Sequence, residues 1–192
     1  MAWLDHVLQF FGYAVCHGLP SRTLMVGSRY LPVCARCAGI YLGISATYVV
    51  LIARRGFKVN ALPPLGAALA VAAMLLPMAV DGLSSYAGLR ETTNTVRFFT
   101  GLVAGGALPV FAFPLLSPEL ILEGRKKDVV RPFGGGWDYA LWLGALAAAG
   151  ALVFVPWAGL YYPLAVLIVA GLAGIFFNLS LVFASLIAAS RS

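Results

Sequence analysis

Charge is scarce in this sequence. Only 10% of its 192 residues are Asp, Glu, Lys or Arg, against roughly 25% in an ordinary soluble domain. It has 7 acidic side chains, 2 histidines and 3 cysteines. Hydrophobic residues make up 61%, and the mean hydropathy is +0.93. So apolar a surface would aggregate in water, which excludes a soluble globular domain, and the same composition excludes a disordered chain. Internal repeats and low-complexity linkers are missing too. The first fifteen residues lack the basic start and small-residue cleavage site of a secretory signal. Gly134-Gly135-Gly136 is a turn and not a phosphate loop, for no Lys-Ser/Thr follows it.

What remains is an all-α, polytopic membrane helix bundle, a single membrane domain over residues 1–192 whose first partner is the lipid bilayer. The 21 Gly and 11 Pro fit this class, since membrane helices tolerate both better than soluble ones do. The net charge of +6 reads as loop topology and anionic headgroups, with no nucleic acid as partner.

A spanning helix needs about 20 mostly apolar residues. Five stretches qualify, near 38–53, 64–80, 96–116, 137–155 and 162–189, the first extended back toward Cys34. The apolar run 7–15 is too short to span. It reads as an interfacial or re-entrant helix with Trp3 and Asp5 near its start, inside an N-terminal segment 1–37 that precedes the bundle 38–192. Small residues crowd the second span (Gly66, Ala67, Ala68, Ala70) and the fourth (Gly144, Ala145, Gly150), which predicts close helix packing there. Trp157, Tyr161 and Tyr162 read as an aromatic belt, and Asn178 and Ser180 as interhelical hydrogen-bond partners.

Basic residues set the orientation. Arg54, Arg55, Lys58, Arg125, Lys126, Lys127, Arg131 and Arg191 fall on one face; Arg22, Arg29, Arg36, Arg90 and Arg97 fall on the other. The positive-inside rule makes the first face cytoplasmic. The expectation is a multi-pass cell-membrane protein with an extracytoplasmic N-terminus and a cytoplasmic C-terminus.

All three cysteines gather on the second face. Cys16-His17-Gly18-Leu19-Pro20-Ser21-Arg22 precedes Pro32-Val33-Cys34-Ala35-Arg36-Cys37. A C-x-x-C turns two sulfurs toward one ion, and the upstream pair supplies further ligands. Cys16, His17, Cys34 and Cys37 are therefore candidate metal ligands. Zinc is the first choice, with iron and copper open on the same donors. Two other readings stand beside it. Cys34 and Cys37 near a helix N-terminus, with Arg36 between them, suit a thiol-disulfide oxidoreductase passing electrons to quinone. Alternatively, the cysteines are inert and packed as small hydrophobes.

A second polar cluster lies on the same face. Asp81 ends an apolar run, where an ionisable group calls for a partner. Arg90 or Arg97 is the expected one. Asn94 and Arg97 share a helical face at i and i+3, and Thr92 or Thr93 suits a helix cap. One reading is a pocket for an anionic or lipid-linked ligand. In it Asp81, Arg90 and Arg97 act on the substrate, while Arg22, Arg36, Arg90, Asn94 and Arg97 hold it. The other reading is an internal salt bridge that fixes the hairpin. A transporter of small solutes or lipids is a further possibility, weakened by the lack of repeat symmetry.

These segments together resemble a family of small bacterial and archaeal membrane proteins of unassigned function. Its motifs resemble C-H-x-x-P-x-R-S/T, P-V-C-x-R-C-x-G-I-Y-x-G and D-G-x-x-Q-x-x-G-x-R-x-S/T-T-N-x-x-R-x-x-T-G. Here they run from Cys16 to Thr23, from Pro32 to Gly43 and from Asp81 to Gly101. Ser85 departs from the pattern, standing where the family has Gln. The resemblance implies that the two clusters belong together, and it implies no particular reaction.

Overall fold

The computed structural model describes residues 2–116 and 129–189. Among the described residues, seven α-helices carry the fold: α1 (Ala2–Val15), α2 (Ala35–Arg55), α3 (Leu65–Ala73), α4 (Leu76–Tyr86), α5 (Asn94–Ala112), α6 (Gly136–Leu152) and α7 (Tyr161–Ala189). A two-stranded antiparallel hairpin, β1 (Met25–Val26) and β2 (Arg29–Tyr30), lies between α1 and α2. Its strands are too short for any alternation of apolar and polar residues to predict them. Gly27, at φ 62, makes the turn possible.

Among the described residues, four helical segments, against the five expected, are long and apolar enough to cross a membrane: Ala35–Arg55, Leu65–Tyr86, Asn94–Leu115 and Ala158–Ala184. α6 has 17 residues, about 25 Å at 1.5 Å per residue, short of a 30 Å hydrocarbon core. It nevertheless runs the height of the bundle. Its first-turn Asp138 meets Arg54 and Arg55 at the end of α2, and Val153 beyond its last turn joins the core cluster of Val26 and Leu31. Arg125, Lys126, Lys127 and Arg191 lie outside the described residues.

Local chemistry explains the element boundaries. Cys34 takes an extended conformation as the N-cap of α2, just past Pro32. The helix runs to Arg54 and Arg55, basic groups favourable at a C-terminus, and stops at Gly56 with φ 57. α3 and α4 form one interrupted span. Pro77 in the first turn of α4 has no N–H to donate to the preceding turn, and the helix breaks at Met74 and Leu75. Thr93 caps α5, its hydroxyl accepting the Val96 N–H at 3.3 Å.

The centre of the bundle is the α2–α5 pair. A Cβ at Gly39 would overlap the Phe98 carbonyl oxygen, and one at Gly43 that of Leu102. Reciprocally, a Cβ at Gly101 would overlap the Arg36 carbonyl oxygen, and one at Gly105 that of Ile40. Two G-x-x-x-G pairs face each other, the arrangement that lets membrane helices approach backbone to backbone. Close packing is thus found on the first and third spans and, on the fourth, at Gly150, where a Cβ would meet Leu102 Cδ2 at 2.8 Å. Gly66 and Gly144 have open space where their Cβ would be. α7 closes over α2, where Gly171 lies against the Tyr41 carbonyl and Ser45 Oγ donates to Leu167 O at 2.6 Å.

Several buried polar groups find partners across helices. Trp142 Nε1 donates to Thr47 Oγ1 at 2.9 Å, and Thr47 Oγ1 donates to Gly106 O at 3.0 Å. Asn178 makes the expected interhelical bond, Nδ2 to Ala112 O at 3.1 Å. Ser180 does not: its hydroxyl bonds back to Phe176 O within α7. Nor does Tyr161 stand in an aromatic belt. It is buried in the core cluster, whereas Trp157 is exposed and Tyr162 hydrogen-bonds Arg29.

Candidate functional site

The three cysteines come from two segments. Cys16 follows the last turn of α1, where the chain reverses at Gly18 (φ 58), while Cys34 and Cys37 cap and open α2. Their three Sγ atoms lie within 4.8 Å of one another, and all three thiols are free. The backbone N–H of Cys34 donates to Cys16 Sγ at 3.2 Å. His17 is not in the sulfur triangle. It lines a cleft of about 200 Å3 with Cys16, Gly18, Leu19, Arg22 and Cys34.

The site favours negative charge on the Cys34 sulfur. The Cys37 thiol hydrogen-bonds Cys34, and with the Cys16 thiol and the N–H groups of Cys37 and Arg36 it outweighs burial and pulls the Cys34 thiol from 9.0 down to about 5. The N–H groups at the start of α2 point the same way.

The second cluster forms around Asp81, of which only 2% is exposed. Arg90 Nη2 bonds its Oδ1 at 2.7 Å, as expected for one of the two anticipated partners. The other, Arg97, is not on Asp81. It makes a 3.4 Å bond to Asn94 Oδ1 instead. The second ligand of the carboxylate is Arg36, whose Nη2 bonds Oδ2. The sequence carried a signal for this. Residues 36 and 37 differ by about 100° around a helix, so Arg36 must point away from the Cys37 sulfur. Asn94 turns its Nδ2 outward to Ser21 O at 3.1 Å, tying α5 to the segment after Cys16.

Arg22, Arg36 and Arg97 line one cleft of about 320 Å3 with Gly82, Ser85 and Tyr86. Arg22 lines the thiol cleft as well. Four of the five arginines on this face therefore surround the cysteines and Asp81. The fifth, Arg29, instead holds α1 to α7: its Nη1 meets Asp5 at 3.0 Å and Tyr162 Oη at 2.6 Å.

A polar group at the opposite end was not anticipated from the sequence. Asp138 receives Arg54 at 2.8 Å, Arg55 at 2.6 Å and the Gly134 N–H at 2.8 Å. The rule applied to Asp81, that an acid at the end of an apolar helix needs a partner, would have found it.

Two curated relatives share the sequence over long stretches. One, an uncharacterized protein of Methanothermobacter thermautotrophicus, is 42% identical over 96 residues, which is 50% of this chain and 82% of that protein. The other, an uncharacterized protein of Methanocaldococcus jannaschii, is 36% identical over 115 residues, 58% of this chain and 69% of that one. No solved structure matches. The family described as "Predicted membrane protein (DUF2085)" matches residues 16–111, which begin at the first sulfur and end within α5. Half of the chain, with every residue of the thiol triangle and the arginine cleft, is thus matched, and the protein belongs to the DUF2085 family of predicted membrane proteins.

Proposed function

We propose that this protein is an integral membrane metalloprotein. Cys16, Cys34 and Cys37 hold a metal ion, zinc by preference, on the extracytoplasmic side, beside an arginine cleft organised by Asp81 that receives an anionic group. The sulfur triangle carries the reading: three sulfurs within 4.8 Å, from segments 18 residues apart in sequence. Tetrahedral zinc with sulfurs at about 2.3 Å needs sulfur–sulfur edges of about 3.8 Å, inside that bound.

The surroundings fit a thiolate centre. The Cys34 N–H on Cys16 Sγ is a hydrogen bond that favours thiolate over thiol. Three thiolates around a divalent ion carry one net negative charge, and Arg22 lines the same cleft. His17 lines it too and is the fourth ligand at hand. With His17 the centre is closed and structural. Without it, one position is open, and the ion would supply Lewis-acid chemistry there. The donor set also suits iron and copper(I).

Elemental analysis of the detergent-purified protein tests the reading. Near-stoichiometric zinc is expected, lost in Cys34→Ser. Metal-free protein with a Cys34–Cys37 disulfide refutes it and favours thiol-disulfide exchange. An impermeant thiol reagent tests the side: reaction from outside intact cells is expected after chelation, and reaction only after permeabilisation reverses the orientation.

A further inference from the structure

Three guanidinium groups share one cleft, and each comes from a different element: Arg22 from the turn after Cys16, Arg36 from the first turn of α2, Arg97 from the first turn of α5. Like charges repel, so such a cluster is costly unless something answers it. Asp81 answers part of it. Two guanidinium groups against one carboxylate leave one positive charge, and Arg22 and Arg97 bring the excess to three. Glu91, the other acid of this segment, is exposed and pairs with none of them among the described residues. Arg36 Nε is buried without a hydrogen-bond partner.

The excess charge selects the ligand class. A carboxylate has one negative charge and two oxygens, and would leave most of the excess in place. A phosphoryl group has two negative charges and three terminal oxygens, which suit guanidinium forks. The cleft also has room for more than the bare group. About 320 Å3 is several times the roughly 30 Å3 share of one water, so a diphosphate or an ester substituent fits. The setting points to an interface. The cleft lies where α4 ends and α5 begins, and Val80, Leu83 and Tyr86 of α4 are exposed beside it, Tyr86 by 96%.

We infer that the Arg22–Arg36–Arg97 cleft binds a phosphoryl dianion, either the head of a membrane amphiphile or the free ion. This deepens the reading above, since it names the ligand of the cleft beside the thiol centre. Asp81 is the positioning residue, fixing the Arg36 and Arg90 forks by one oxygen each.

Calorimetric titration of the full chain in a neutral maltoside detergent tests this, with inorganic phosphate, inorganic pyrophosphate, dodecyl phosphate and dodecanoate as probes. Saturable binding of a phosphoryl probe is expected, at least tenfold tighter than dodecanoate. Arg97→Gln and Arg22→Gln should each weaken it at least tenfold. Arg97→Lys, which keeps the charge and loses the fork, guards against misfolding and should give a smaller loss at unchanged Tm. Dodecyl phosphate binding more tightly than both inorganic probes assigns the amphiphile, and equal affinities assign the free ion. No saturable phosphoryl binding, or binding unchanged in both Gln variants, overturns the inference. Zinc is measured in the same samples. Protein that holds zinc but binds no phosphoryl probe sinks this inference alone; protein that binds the probe without metal sinks the metal reading alone.

Discussion

The two arginines on Asp81 should differ in worth, and a pair of double-mutant cycles can measure the difference. Asp81 is 2% exposed in both pairs, while the Arg36 side chain is 30% exposed and that of Arg90 is 52% exposed. Breaking a fully buried ion pair by removing one partner costs about 3–5 kcal/mol, and an exposed pair is worth about 0–1 kcal/mol. Arg36–Asp81 lies nearer the buried limit, so its coupling should be about 2 kcal/mol, and Arg90–Asp81 should couple by about 0.5 kcal/mol. Asp81→Ala alone removes both bonds and strands two charges, for a loss of about 3 kcal/mol. At about 2–4 °C per kcal/mol for a chain of this size, the Tm should fall by about 6–12 °C. The assay is reversible unfolding in detergent of the wild type, Asp81→Ala, Arg36→Ala, Arg90→Ala and the two doubles. Equal couplings, or a larger one for Arg90, would refute the argument from burial. So would an Asp81→Ala protein as stable as the wild type.

Two further outcomes are expected. Gly105→Ala puts a methyl into the Ile40 carbonyl and should cost several kcal/mol by forcing α2 and α5 apart, whereas Gly144→Ala meets nothing and should be neutral or stabilising by about 0.5–1 kcal/mol; thermal unfolding of the pair decides. Thiolate is the form that alkylates, and the Cys34 thiol is pulled from 9.0 to about 5. In chelated protein, Cys34 should therefore gain reactivity toward iodoacetamide as pH rises through about 5 and be fully reactive by pH 7, while Cys37→Ala, which removes the largest cause, moves the midpoint upward. A midpoint near 9 in the unmutated protein would count against the hydrogen-bonded triangle.

Much of this was legible in the residues, for reasons that differ by case. The membrane class, the extent of α2 and α5, a threonine cap at 92 or 93 and the gathering of the sulfurs follow from local signals: apolar run length, a hydroxyl before a helix, a C-x-x-C. The facing of helices was not legible. Ala-rich composition suggested tight packing at Gly66 and Gly144, yet composition does not say which face meets a neighbour. The G-x-x-x-G spacing of Gly39 and Gly43, and of Gly101 and Gly105, was the better signal, because it puts the small residues on one stripe. Partner choice was half legible. Asp81 had to be paired, but Arg36 is 45 residues away, and only tertiary structure chooses it over Arg97.

The α2–α5 contact joins the first and third spans, and the span between them is left outside. Of α3 and α4 only Val71 and Asp81 are buried. The matched region, 16–111, contains this pair and both clefts, while α6 and α7 lie beyond it. The thiol and arginine groups thus ride on the α2–α5 pair, with α3 and α4 laid along its outside. In a bilayer, lipid is then the neighbour of most of α3 and α4, and the buried Asp81, bonded to Arg36, is the side chain that pins α4 to α2.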